Sequence, residues 1–175
     1  MEDNVITNRL MEVTSRATKY CALVEHASDY LPKEFVEDML DILPRIYLDF
    51  SDAELDFGEN EEYFSSYVDE DYYDAVRRKM ETLLGEYDVY LETFEEDMKY
   101  SDTPVAASIS ESLADIFQPL YNFISIVRET DGDSIRGAYT ECRENFVSYW
   151  AQTLCNVMRA LNNLRYNAEW PMPEE

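Results

Sequence analysis

One histidine, three cysteines and 38 aspartates and glutamates are the side chains in this sequence with chemistry to offer. Ser-His-Asp and Cys-His systems need an imidazole base, so only His26 could serve them, and no Gly-x-Ser-x-Gly elbow accompanies it. His26 follows Glu25 at the end of the first apolar stripe, which suits a surface or helix C-terminal role. Structural zinc needs several Cys or His ligands at short spacing. Cys21 and His26 are too far apart to share a helix face, and Cys142 and Cys155 lie on or beside an apolar stripe as small hydrophobes. A ferritin-like di-iron site needs paired Glu-x-x-His units, which one histidine cannot supply. The run Asp52 to Gly58 has the look of a calcium loop. Counted from Asp52, however, its glycine comes one residue late for the required turn, and Tyr63 stands where the bidentate glutamate belongs. Four isolated glycines make no phosphate loop. Carboxylate pairs at helical spacing are unavoidable among so many acids, so no pair marks a catalyst. Neither cofactor nor metal is expected.

The tyrosines say more. Of fourteen, Tyr63, Tyr67, Tyr72, Tyr73, Tyr87, Tyr90 and Tyr100 fall in or near the segment 51–102, which carries 18 acidic and 4 basic residues. A phenol has a flat apolar body and a polar tip, which suits an interface. Tyr73 and Tyr87 sit on a helical stripe and are expected in the core. Tyr63, Tyr67 and Tyr72 lie off it and are the candidate anchors for a partner, with Glu61, Glu62, Asp69, Asp71 and Asp74 as their acidic rim.

Net charge narrows the partners. At −24 over 175 residues, the chain is repelled by nucleic-acid phosphates and by anionic membrane surfaces, whereas basic proteins are favoured. Screening should relieve repulsion within 51–102, so the melting temperature is expected to rise from low to moderate salt. A flat or falling trend would show that attractive pairs dominate. Hydrophobic residues at 46% are too many for a disordered acidic tail. Three cysteines without framework spacing suit reduced thiols in the cytoplasm. The acidic N-terminus lacks a signal-peptide pattern, and no apolar run is long enough to span a membrane.

The elements that must position these residues are helices. One stripe runs Val5, Leu10, Val13, Ala17, Tyr20, Cys21, Val24 and Ala27. Another runs Phe35, Val36, Met39, Leu40, Leu43, Ile46, Tyr47 and Phe50, with Pro32 at its start and Pro44 predicting a kink or broken turn. Residues 51–68 lose the period and read as an acidic loop with room for a short helix. Asp69 is the expected N-cap of a helix through Tyr73, Val76, Met80 and Leu83 that ends at Gly85. A further turn or two would place Leu91, Phe94 and Met98 on one face. Thr103-Pro104 reads as a cap and first-turn proline for a stripe from Val105 to Val127, bent at Pro119. After the turn at Asp131-Gly132, Asp133 is the expected cap of a last helix carrying Ile135, Tyr139, Cys142, Phe146, Tyr149, Leu154, Val157, Leu161 and Leu164. No stretch alternates with period two. The expectation is an all-α, single-domain bundle of five to six helices with a short flexible tail over about 168–175.

Several blocks also resemble the domain of unknown function 5063 family: Tyr20–Glu25, Asp41–Leu48, Val68–Tyr72, Asp88–Asp102, Ile109–Ile116 and Arg159–Tyr166. The resemblance spans Tyr20 to Tyr166. It implies a bacterial, helical protein and carries over no activity or catalytic residue. The leading expectation for function is a non-catalytic, acidic protein-interaction module. Its alternative is an acidic mimic that occupies the nucleic-acid site of a basic protein, and a carboxylate-using enzyme comes third.

Overall fold

In the computed structural model, the described residues are 1–92, 99–100 and 103–171. They form an all-α bundle: α1 (Glu2–Glu25), α2 (Pro32–Ser51), α3 (Glu70–Leu84), α4 (Ile109–Glu129), α5 (Ile135–Asn145) and α6 (Ala151–Asn167). A π-turn, Phe146–Trp150, joins α5 to α6, so the six α-helices form five rods. None of the helices is long and apolar enough to cross a membrane.

Helix α4 is the hub, packed against α1, α3, α5 and α6, while α2 closes the bundle against α1 and α6. Its composition explains that position. Leu113, Ile116, Phe117, Leu120, Phe123 and Ile126 bury more than one face, as a helix surrounded by others must. At one end of the core, Phe50 stacks on Tyr139 at 5.1 Å and meets Trp150 at 5.2 Å and Phe123 at 6.0 Å. Buried hydroxyls are satisfied across elements: Tyr20 donates to the Leu113 carbonyl at 2.7 Å and Tyr139 to that of Asp49 at 2.6 Å.

Local signals hold at several ends. The Asp69 carboxylate accepts from the Tyr72 N–H at 2.7 Å, and Gly85, at φ 54°, ends α3. Helix α2 runs unbroken through Pro44, and α4 through Pro119. Elsewhere neighbours override the local pattern. Thr103-Pro104 does not start α4. Ser108 does, its hydroxyl accepting from the Glu111 N–H at 3.1 Å. The buried Asp88 carboxylate also takes the Ser110 N–H and hydroxyl, both at 2.7 Å. The residues just before α4 form a strand, β2 (Ala106–Ser108), antiparallel to β1 (Val89–Leu91). Three-residue strands are too short to print an alternating pattern. Leu91 is therefore in a strand rather than on a helix face, and Phe94 and Met98 lie outside the described residues. At the α4–α5 corner, Asp131 and Gly132 both take positive φ, which moves the cap from Asp133 to Ser134. Of the expected stripe residues, Val5, Tyr47, Leu91, Val105 and Tyr149 are exposed. Tyr73 and Tyr87 are half-buried rather than core. The chain end folds back as far as residue 171: Trp170 packs on Tyr87, whose hydroxyl donates to the Glu169 carbonyl at 2.7 Å.

The thiols divide by burial. Cys21 and Cys142 are buried, and burial pushes both thiols well above the ordinary cysteine range, whereas Cys155 is exposed. One of the three should therefore react quickly with dithionitrobenzoate in the native protein, and the other two only on unfolding. Two fast thiols would contradict the packing around α1 or α5.

Candidate functional site

The acidic segment is a strap laid across the bundle. Leu55 and Val68 are buried near its two ends, and Phe57 and Phe64 pack against the core between them. Asp56 pairs with Arg143 at 3.0 Å, and the Tyr67 N–H donates to Asn122 Oδ1 at 2.7 Å. The Gly58 N–H and then Arg143 hold the Asp56 carboxyl below its usual range. The side chain of Asn60 closes a tight turn with Glu62, accepting its N–H at 3.0 Å and donating to its carbonyl at 2.9 Å. Glu62 then accepts from the Ser134 hydroxyl at 3.0 Å.

These anchors sort the candidate residues. Tyr63 is 92% exposed and Tyr67 41%. Glu61 and Asp71 are exposed. Tyr72 is not available in the same way. Its hydroxyl donates to Glu25 Oε2 at 2.6 Å and its ring meets Phe117 and Tyr121 edge-on, so burial and then Glu25 push its pKa well up. Asp69 is spent on the α3 cap and Glu62 on Ser134. Asp74 pairs with Arg77 at 2.8 Å and Arg78 at 2.7 Å, and these, Arg77 foremost, hold its carboxyl below the usual range.

Gly137 is the seat of the strap on α5. A Cβ there would run into Glu62 Oε2 and crowd Asn60 Oδ1 at 3.1 Å. In Gly137→Ala the carboxylate end can swing away, while the helix gains up to about 1 kcal/mol in propensity. The melting temperature should hold or rise slightly, yet a glutamate-specific protease should cut the 59–62 turn faster. Unchanged cleavage would mean that Glu62 does not pin the strap.

A second feature lies between β2 with the start of α4 and the π-turn with the start of α6. It is a cleft of about 540 Å³ with Glu92, Glu111, Asp115, Tyr149, Gln152 and Asn156 among its lining. No lysine, arginine or histidine lines it among the described residues. Asp115 accepts from two phenols, Tyr73 at 2.6 Å on one oxygen and Tyr149 at 2.9 Å on the other. Burial and then the Asp115 charge push Tyr149 up to about 12, and Tyr73 rises well above its usual value for the same reasons. Both phenols are therefore neutral donors at physiological pH, the opposite of what a phenolate base requires. Tyr90 shares a hydrogen with Ser112 at 2.9 Å and reaches Glu92 at 3.2 Å. Among the described residues, no three Cys, His, Asp or Glu side chains converge as metal ligands would.

The family described as domain of unknown function (DUF5063) matches residues 4–167. The chain belongs to the DUF5063 family. Protein BF1032 from Bacteroides fragilis, a crystal structure, is similar over 95% of this chain and 96% of its own, at 29% identity and a TM-score of 0.73. No curated protein matches.

In this DUF5063 chain the cleft residues escape sequence reasoning, though one signal for them exists. In the last helix the apolar stripe steps from Phe146 to Tyr149 and then five residues to Leu154. Five is too long for one α-helical turn. The π-turn absorbs the extra residue, so Trp150 enters the core and Tyr149, 59% exposed, turns to the cleft.

Proposed function

We propose that this DUF5063 protein is a non-catalytic, acidic interaction module of the cytoplasm that docks a basic protein on its strap. The observation that carries the reading is the exposed Tyr63, which directly follows the anchored Asn60–Glu62 turn in a run that also carries Glu59 and Glu61. A pre-ordered aromatic surrounded by acids loses little entropy on docking, and its charge speeds encounter with a basic surface. Three free cysteines suit a reducing compartment.

Point substitutions test this better than deletion. Removing 51–68 would also strip Leu55, Phe57, Phe64 and Val68 from the core. The bait is the full chain, in lysate of its native source at low and high salt. A basic protein should be retained at low salt, released at high salt and lost from Tyr63→Ala. The pair Glu59→Gln with Glu61→Gln should slow association and flatten its salt dependence. Equal retention by wild type and both variants overturns the strap as the docking site.

A further inference from the structure

We propose that the groove between β1 and α6 binds the free C-terminal end of a partner protein, laid as an extended segment parallel to β1. The surface is separate from the strap and uses none of its residues. Val89 and Leu91 line one side and Arg159, Ala160 and Leu164 the other, with the buried Ile109 also in the lining. Its volume of about 290 Å³ suits a few residues rather than a large ligand. The three residues of β1 along its edge span about 10 Å of extended chain.

The main chain of β1 is the first argument. In an antiparallel pair, alternate residues turn both their N–H and their carbonyl to the partner strand. The Glu92 N–H donates to the Val105 carbonyl at 2.8 Å, so Glu92 and Tyr90 face β2. Val89 and Leu91 therefore turn their main-chain groups to the opposite edge, where the Leu91 carbonyl accepts from the Arg159 guanidinium on α6. On that same edge, the Leu91 N–H and the Val89 carbonyl have no hydrogen bond among the described residues. The side chains of Val89 and Leu91 are exposed beside them. An open edge flanked by exposed apolar side chains is a template for another strand.

Arg159 selects the direction of that strand and where it stops. An antiparallel strand along β1 would need the Leu91 carbonyl as well as its N–H, and the carbonyl is taken. A parallel strand needs the two groups that are left. Its residue opposite Tyr90 would accept from the Leu91 N–H and donate to the Val89 carbonyl. The C-terminal direction of such a strand leads to Arg159, whose side chain reaches from α6 to Leu91 and closes that end of the groove. A chain laid there must end at the guanidinium. Charge agrees with this. Apart from Arg165, which lies over Tyr166, every other arginine has a carboxylate within 4.0 Å. Arg159 has only the Leu91 carbonyl among the described residues, in a chain with 38 acidic side chains. A terminal carboxylate would supply the charge-assisted partner that the fold itself does not. The net charge of −24 repels further acids, so the rest of the bound segment is apolar or basic.

The probe is a pool of peptides acetyl-Lys-Ser-x-x-x, with x drawn from Ala, Val, Ile, Leu and Phe. It is prepared with a free C-terminus, as the C-terminal amide, and extended by Gly-Gly-amide. The full chain, immobilised at physiological salt, should retain members of the free-acid pool. Fluorescence polarisation should find these about tenfold tighter than the same sequences in the other two forms. Arg159→Gln should bring the free acids to the level of their amides and leave the amides unchanged. Leu91→Pro removes the outward N–H without touching the ladder to β2, and should cost about tenfold. Glu61→Gln on the strap should change nothing. If Leu91→Pro fails to fold, Arg159→Gln decides alone, since Arg159 is exposed. Retention of no free-acid peptide overturns the proposal. So does equal binding by the amide or by the extended form, which would assign an internal segment, or a loss on Arg159→Gln that falls short of about threefold. A dimer in sedimentation that Val89→Asp dissolves would put a second copy on this edge and overturn it as well.

Discussion

Phe50→Ala is expected to cost about 3–5 kcal/mol, enough to bring a domain of ordinary stability near its unfolding threshold. Phe50 is fully buried at the end of α2, and its ring touches Phe123 of α4, Tyr139 of α5, and Phe146 and Trp150 of the π-turn. Those neighbours lie on two rods, Phe123 on α4 and the other three on the continuous α5–π-turn–α6 rod, so they cannot close on the vacated space without the helices shifting. A residual cavity, rather than a collapsed one, sets the upper part of the range. Urea unfolding followed by circular dichroism measures the loss. A cost below about 1 kcal/mol at unchanged slope would show that the cluster relaxes, and that α2 is held elsewhere.

Alkaline pH should unfold this protein more steeply than its carboxylates would suggest. Tyr20 and Tyr139 are fully buried, and burial raises both phenols far above their ordinary value. Tyr72, Tyr73, Tyr90 and Tyr149 are raised too, by burial first, with Tyr90 and Tyr149 at about 12. In the unfolded chain each ionises near its ordinary pKa of about 10. Between these values the folded state holds the proton and the unfolded state has lost it, so stability falls as pH rises. Below about pH 10 the contribution is fully present. Above it, the two buried phenols alone remove about 3 kcal/mol per pH unit, at about 1.4 kcal/mol each. Phenolate absorbance and helical signal followed together should change in one cooperative step near that pH. Phenolate appearing well before the helix signal falls would show that these hydroxyls ionise in the folded protein. Tyr20→Phe and Tyr139→Phe each trade a buried hydrogen bond for a shallower pH dependence, so their alkaline transitions should broaden.

Helices were legible wherever packing follows a local period. The stripes of α1, α2 and α4 and the ends at Asp69 and Gly85 depend on neighbours three or four residues away, and these the chain states directly. The start of α4 was not legible. Thr103-Pro104 has the right local chemistry, but Asp88 binds Ser110 from 22 residues upstream and β1 pairs with the intervening chain. The extra residue of the π-turn was visible only as a long step in the stripe, which periodicity alone reads as noise.

The candidate sites show the same division. Composition placed the acidic excess and half of the tyrosines in 51–102, and the lone histidine and isolated glycines disposed of several chemistries. Which phenols remain available was decided elsewhere. Tyr72 is taken by Glu25, 47 residues away, and Tyr73 by Asp115, 42 away, while Tyr63 has solvent around it. Amphipathic spacing records which side of a helix faces inward, because burial of apolar area repeats with each turn. It carries no record of which carboxylate from another helix will meet a given hydroxyl. That pairing exists only once the rods have packed.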